Sequence, residues 1–298
     1  MTKDYFYLHQ HHSDFDDFCT NALNWDLDYR QLERGAFTSE MLTCGNNQVI
    51  FSRAKLGRRM LQRGSSPPGM VTFGLLACPE ISIHWRNIDV SGEQLFIFPP
   101  GGELNSISQA DFHVYVISLT EETLDEVCTS FQLPVFKELV NGNEVFRCNP
   151  LMLASFRKHL LQIEQILSMR KGLINSAYLR RLENELSEQL ILLLADRTEV
   201  VTAKKPRKRD LALQSAVNFI HASRSNIITM PSLCEASNAS QRTLEYAFRE
   251  RYGLTPKEYL LVHRLNNVRK QLRQAVPEND QVSAIAQQHG FWHMGQFS

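Results

Sequence analysis

The stretch RTLEYAFRERYGLTPKEYL at 242–260 constrains the fold most, because two helix signals and the break between them fall within nineteen residues. Leu244, Ala247 and Phe248 recur at the spacing that places them on one helical face, while Arg242, Glu245, Tyr246 and Arg249 fall on the other. Ser240 is an N-cap whose hydroxyl accepts an orphan backbone N–H, and Gly253 ends the helix where a left-handed residue is favoured. Thr255-Pro256 opens a second helix, since threonine caps well and proline is tolerated at the first helical position. Its apolar positions Tyr259, Leu260, Val262, Leu265, Val268 and Leu272 continue the stripe. Two packed core helices satisfy this pattern by themselves, so the flanking sequence has to separate core from function.

Upstream, Leu213, Val217 and Ile220 mark one helix and Pro231 to Ala236 a second, short one, with SNAS a tight connection into the Ser240 helix. A short helix, a brief turn and a longer polar-faced helix form a helix-turn-helix unit, whose longer helix enters the major groove with its N-terminal side chains at base edges. A similar unit opens at QVSAIAQQHGFWHMGQFS: Ile285 and Ala286 are expected inside, Gly290 in the turn, and Phe291 and Phe297 as anchors of a second recognition helix.

The run Ser240-x3-Leu244-x3-Phe248-x4-Gly253-x-Thr255-Pro256-x2-Tyr259-Leu260-x3-Arg264-Leu265, followed by Ile285-Ala286-x3-Gly290-Phe291, resembles an AraC-type (AraC/XylS family) transcriptional regulator over 210–298. The ending GFWHMGQFS resembles the subgroup containing ethanolamine-utilisation regulators. The resemblance implies a DNA-binding domain with two recognition helices joined by a long helix, here Thr255 to Leu272. It implies that the second unit is incomplete, since the chain ends about two turns into that helix. Carried over residue by residue, the DNA-facing set is Ser240, Gln241, Arg242, Glu245, Tyr246 and Arg249 in the first unit, and His293, Met294, Gln296 and Ser298 in the second. Arginine binds guanine bidentately and glutamate accepts from cytosine N4, while other positions serve phosphate. For Arg249 an ion pair with Glu245, four residues earlier, is the purely structural alternative. Met294 and Gly295 depart from the polar residues the family commonly places there, which weakens base reading by that helix.

A formal net charge of zero conceals a segregation: 1–198 carries net −6 and 199–298 net +6. The C-terminal part is therefore the polyanion-binding candidate. The basic run EVVTAKKPRKR at 199–209 is expected to be a linker, either solvated or touching a DNA backbone. Before it, 48–119 reads as short strands bounded by Gly, Pro and Ser, and 150–196 as two helices with leucine stripes, Leu160, Ile163, Ile166 and Leu167 on one and Leu179, Leu182, Leu186, Leu190 and Leu193 on the other. Those stripes point to a dimer interface, with core packing as the alternative. The expected fold is α+β: a β-rich, cupin-like barrel with a helical dimerisation segment (1–198), the linker, then an all-α double helix-turn-helix domain (210–298).

By resemblance the N-terminal part holds a small-molecule effector. Alternation in ISIHWR sends Ile81, Ile83 and Trp85 to one side and Ser82, His84 and Arg86 to the other. Arg53, His84, Trp85 and Arg86 are the candidate effector contacts. A metal-binding cupin needs clustered histidines, whereas His84 stands alone and Asn105 lies where a ligand histidine could be. His9, His11 and His12, beside Asp14 and Asp16, offer metal donors, but a flexible polar N-terminal arm is the reading adopted, with no metal and no other cofactor.

Six scattered cysteines without a C-x-x-C pair suggest reduced structural thiols. No signal peptide or apolar run of about 18 residues is present, so a soluble cytoplasmic protein is expected. The sequence thus points to a homodimeric, effector-controlled activator that binds double-stranded DNA, engages RNA polymerase and avoids membranes. A catalytic cupin fused to a binding module, or a constitutive DNA-binding protein with a dimerising barrel, are the alternatives. The first lacks metal ligands and any G-x-S-x-G, P-loop or GxGxxG pattern.

Overall fold

The computed structural model describes residues 5–21, 26–98, 103–169, 174–203, 205–223, 228–276 and 281–292. In chain order the elements are β1 (Phe6–His12), α1 (Phe15–Asn21), β2 (Asp26–Gln31), β3 (Ser39–Gly45), β4 (Val49–Leu56), β5 (Met60–Ser65), β6 (Met70–Leu76), β7 (Ser82–Trp85), β8 (Ile88–Ser91), β9 (Gln94–Phe98), β10 (Glu103–Ser108) and β11 (Phe112–Thr120). There follow α2 (Glu121–Ser130), α3 (Phe136–Val140), β12 (Val145–Arg147), α4 (Pro150–Met169), α5 (Ser176–Ala195) and β13 (Glu199–Val200). The chain closes with α6 (Lys208–Ala222), α7 (Met230–Ser237), α8 (Gln241–Tyr252), α9 (Pro256–Gln274) and α10 (Val282–Gln288). Two compact units result, Met1–Tyr29 with Glu33–Lys204, and Arg30–Leu32 with Lys205–Ser298.

The first unit is built on a pair of sheets. One has eight strands in the order β1-β3-β4-β11-β6-β9-β12-β13, the other five in the order β2-β5-β10-β7-β8. Period-two alternation sorts the large sheet's side chains between two cores, and β11 shows it most clearly. Phe112, Val114 and Val116 join the core between the sheets, with Trp85, Phe96, Phe98 and Leu104. Tyr115, Ile117 and Leu119 join the core beneath the helices, with Phe51, Phe73, Phe136, Leu160 and Leu186. A sheet apolar on both faces needs cover on both, and α2 to α5 supply it on the side away from the small sheet. At Gly74 the inner core is so tight that a Cβ would lie 2.2 Å from the Phe96 ring.

Three expectations are corrected. Strands begin at Phe6 rather than near residue 48, and the stretch expected to be a polar arm is β1, antiparallel to β3 with His11 opposite Glu40. Its polar side chains mask the alternation that marks an edge strand. The segment ISIHWRNIDV, which within 48–119 reads as one of the short strand runs, is two strands, turned at Arg86, whose φ is 52°. The leucine stripes of α4 and α5 are the intramolecular core: Leu160, Ile163, Leu167, Leu179, Leu182, Leu186, Leu190 and Leu193 are all buried within this one chain, and only Ile166 of that set is exposed. A helix stripe that covers a sheet has the same periodicity as one that meets a second protomer, so spacing alone does not separate the two.

In the helical unit, Ala216, Val217 and Ile220 of α6, Leu233 of α7, Leu244 and Phe248 of α8, and Tyr259 and Val268 of α9 form the interior. Phe248, Tyr252 and Tyr259 cluster with ring centroids 5.2 Å (Phe248–Tyr259) and 4.6 Å (Tyr252–Tyr259) apart. The α9 stripe is only partly inside, since Val262 and Leu272 are half-buried and Leu265 is exposed. Ile285 and Ala286 of α10 are buried, as their spacing predicts.

Candidate nucleic-acid interface

The geometry of α7 and α8 follows from their caps. Thr229 accepts from the Ser232 N–H at the start of α7, and Asn238 ends it in the left-handed region at φ 48°. Ser240 then caps α8 by accepting from the Thr243 N–H at 3.2 Å, and Gly253 closes the helix at φ 71°. Capping of this kind satisfies the backbone groups a helix end leaves open and sets the chain direction at a short turn. With Leu244, Ala247, Phe248 and Tyr252 buried, Gln241, Arg242, Tyr246 and Arg249 are left exposed and Glu245 half-buried. The five candidate residues of α8, with the Ser240 cap, therefore share the face turned away from the helical core.

That face is internally organised. Tyr246 is 57% exposed, and the Arg242 guanidinium carbon stands 5.5 Å from its ring centroid, with Arg242 Nη2 donating to the Tyr246 hydroxyl at 3.5 Å. A cation stacked over an aromatic ring loses less freedom when it later grips a base edge or phosphate. Glu245 Oε1 accepts from Gln241 Nε2 at 2.8 Å. Its carboxylate is thereby drawn toward the N-terminal turn of the helix and not toward Arg249.

The basic run is less free than a solvated linker. Glu199–Val200 is β13 of the large sheet, and α6 already begins at Lys208. Arg207 pairs with Asp210 at 3.0 Å and Glu250 at 3.2 Å, and Arg209 with Glu250 at 2.6 Å. Two cations of the run are thus matched by carboxylates on α6 and α8, while Lys208 is exposed at the start of α6. In the second unit Gly290 turns at φ 81°, Arg264 lies 5.4 Å from the Phe291 ring, and Trp292 is exposed. His293, Met294, Gln296 and Ser298, together with Phe297, lie outside the described residues.

The candidate effector contacts do not meet at one place. Between the sheets lies a cavity of about 90 Å³, lined mainly by apolar side chains such as Met41, Ile50, Phe98 and Val116, with Gln10, Tyr29, Thr43, Ser52, Gln62 and Ser106 as the polar side chains among the described lining residues. Arg53, His84, Trp85 and Arg86 are not among the lining residues. Arg53 shares the phase of Phe51, opposite the cavity-facing Ser52 and Ala54. It is 1% exposed, with Nη2 2.5 Å from Glu40 Oε1 and Nε 3.0 Å from Glu164 Oε1. His84 Nδ1 meets Asp89 Oδ1 at 2.6 Å across the β7–β8 ladder, and Arg86 pairs with Glu144. Trp85 packs edge-on against Phe98 at 4.3 Å, inside the core. Reading cavity residues from sequence required each strand's inward phase. Leu8 and Gln10, Met41 and Thr43, and Ser52 and Ala54 carry that phase once the strands are known.

The N-terminal donors also separate. His12 Nδ1 meets Asp17 Oδ2 at 2.9 Å, and Asp14 accepts from the backbone N–H groups of Asp16 and Asp17. His9 and His11 lie on the opposite face of β1, beside Glu40 of β3, a residue the sequence did not single out.

Comparison with known proteins gives three findings. Residues 233–298 match the family model of a helix-turn-helix domain. The chain is 32% identical over 83 residues, 28% of its length, to a probable thc operon regulatory protein of Rhodococcus erythropolis, and 20% identical over 213 residues, 69% of its length, to the XylDLEGF operon transcriptional activator of Pseudomonas putida. These matches span 25% and 62% of the two relatives. The crystal structure of the AraC-like transcriptional activator CuxR is similar with a TM-score of 0.48 at 13% identity, covering 93% of this chain and 97% of that one. No helix among the described residues is long and apolar enough to cross a membrane.

Proposed function

We propose that this chain, whose C-terminal domain is an AraC-type helix-turn-helix domain, is a sequence-specific transcription activator of the cytoplasm, controlled by a small-molecule effector. One observation carries the reading: the exposed face of α8 presents Arg242 stacked on Tyr246 one turn apart, directly after a tightly capped turn from α7. In this reading α8 lies in the major groove, Arg242 reads a base, and Gln241, Tyr246 and Arg249 contact base edges or phosphates. The effector-binding part is 1–198 and the DNA-binding part 210–298, with Lys208 touching the DNA backbone. RNA polymerase and a second protomer are the protein partners.

The effector occupies the cavity between the sheets. No charged side chain is among its described lining residues, so a small, largely apolar, uncharged molecule with one or two hydrogen-bonding groups fits it. Among the described lining residues there is no histidine, cysteine or carboxylate either, which favours a sensor over a metal-dependent cupin enzyme.

The test is a binding titration of Arg242→Ala and Lys208→Ala against the operator, single-base variants and random DNA at several salt concentrations. Arg242→Ala is expected to relax specificity at one base position by about 1–3 kcal/mol. Lys208→Ala is expected to weaken all sequences alike and to lower the salt slope by about one. An unchanged ratio of specific to random binding in Arg242→Ala would remove α8 from the reader's role.

A further inference from the structure

On the outer face of the large sheet, away from the cavity, β1 and β3 bring three metal-type donors together. His9 Nε2 lies 2.9 Å and His11 Nε2 4.0 Å from Glu40 Oε1, and one donor atom from each of the three residues lies within 4.8 Å of the others. The arrangement follows from the backbone. Residues two apart on a strand share a face, and the antiparallel register sets His11 directly opposite Glu40. The two imidazole rings stand 5.1 Å apart. Ligands at about 2.0–2.1 Å from a tetrahedral zinc ion are about 3.4 Å apart, so the ligand atoms need shifts of only about an ångström, and His11, 71% exposed, is free to make the largest.

We propose that His9, His11 and Glu40 form a binding site for a divalent transition-metal ion, Zn²⁺ in the first instance. Two neutral imidazoles and one carboxylate are the donor set such an ion takes, and three protein ligands leave a fourth position for water or a small donor molecule. His11 and Glu40 also line a cleft together with Thr38, Gly57, Asp111 and His113. The carboxylate is already oriented, because Arg53 Nη2 donates to Glu40 Oε1 from a buried position, the kind of outer-shell support that ligating carboxylates commonly have. Arg53 and Lys55 oppose a further cation, but the carboxylate of Glu164, 3.0 Å and 3.7 Å from them, offsets one of these charges. The cluster of Glu40, Glu164, Arg53 and Lys55 is then neutral before the ion arrives. Bound there, the ion ties the edge strand β1 to β3.

The experiment uses the full chain, freed of metal with a chelator and titrated with Zn²⁺ alone by calorimetry. Co²⁺ absorption reports on the ligand set, and thermal unfolding is followed with and without Zn²⁺. One equivalent is expected to bind and to raise Tm, as any ligand selective for the folded state does. His11→Ala, at an exposed position, and His9→Ala are each expected to weaken binding at least ~10-fold, with His84→Ala unchanged. Circular dichroism establishes that each variant is folded. Absence of binding to the folded wild-type chain, or undiminished affinity in both His9→Ala and His11→Ala, would overturn the assignment.

Discussion

His113 illustrates what a single residue contributes here. It sits on the helix-facing side of β11 among Glu164, Lys55, Arg53 and Glu40, and burial pushes its imidazole down to about 4, outweighing the pull of Glu164. Its Nε2 is buried without a hydrogen-bond partner, as suits a neutral ring. An unfolded histidine titrates near ~6.5, so below that value the unfolded chain binds a proton that the folded chain refuses. The contribution is complete above about 6.5 and is lost as the pH falls toward 4. Glu40 acts in the same sense further down: the hydrogen bond from Arg53 holds its carboxyl well below the usual range, so its contribution is present above about 4.3 and lost only in strong acid. Urea unfolding is therefore expected to show up to about 2 kcal/mol less stability at pH 5 than at pH 7, with a smaller loss in His113→Gln. A loss unchanged in that variant would point to other groups.

At the scale of elements, α4 and α5 carry the heaviest share of the first unit. Leu186 is fully buried beneath the sheet with Leu182 and Leu190. Leu186→Ala is expected to cost about 2–5 kcal/mol through lost burial and the cavity left behind, with no effect on oligomeric state. Denaturant unfolding and sedimentation together check both halves of that statement. Leu182→Asp combined with Leu186→Asp, which an interfacial stripe would turn into a soluble monomer, is expected to unfold the domain instead. On α4 the apolar side chains left exposed are Leu151, Leu161, Ile166 and Met169, outside the buried stripe.

At the scale of the molecule, the proposed control requires a cavity in one unit to govern a reader in the other. Ala54 lines that cavity between Ser52 and Leu56 on β4. Ala54→Phe fills it, and is expected to abolish effector-dependent reporter output while the isolated protein binds operator DNA as before at fixed salt. Full response in a folded Ala54→Phe chain would place the effector elsewhere. Because the C-terminal hundred residues carry net +6, operator affinity is also expected to fall steeply as salt rises.

The sequence by itself determined the helix starts and turns from α7 to α10, while the second recognition helix lies outside the described residues. Ser240, Gly253, Thr255-Pro256, Ile285-Ala286 and Gly290 act through local backbone chemistry, and each stands in the structure where its spacing places it. Strands β4, β6, β9 and β11 were legible for a similar reason, since their apolar runs are bounded by Gly, Pro and Ser. Only the tertiary structure decided what depends on pairing between distant residues. It made FYLHQHH an edge strand, and it gave Arg53 the phase of Phe51 and so turned it away from the cavity toward Glu164. It buried the leucine stripes inside one chain, and it set Glu40 opposite His11 across a ladder. Helix caps and turns are written in neighbours a few residues apart. Strand partners, the inward phase of a sheet and the covering of a helix face are fixed by burial across the whole fold, and one side chain's spacing does not record which surface will reach it.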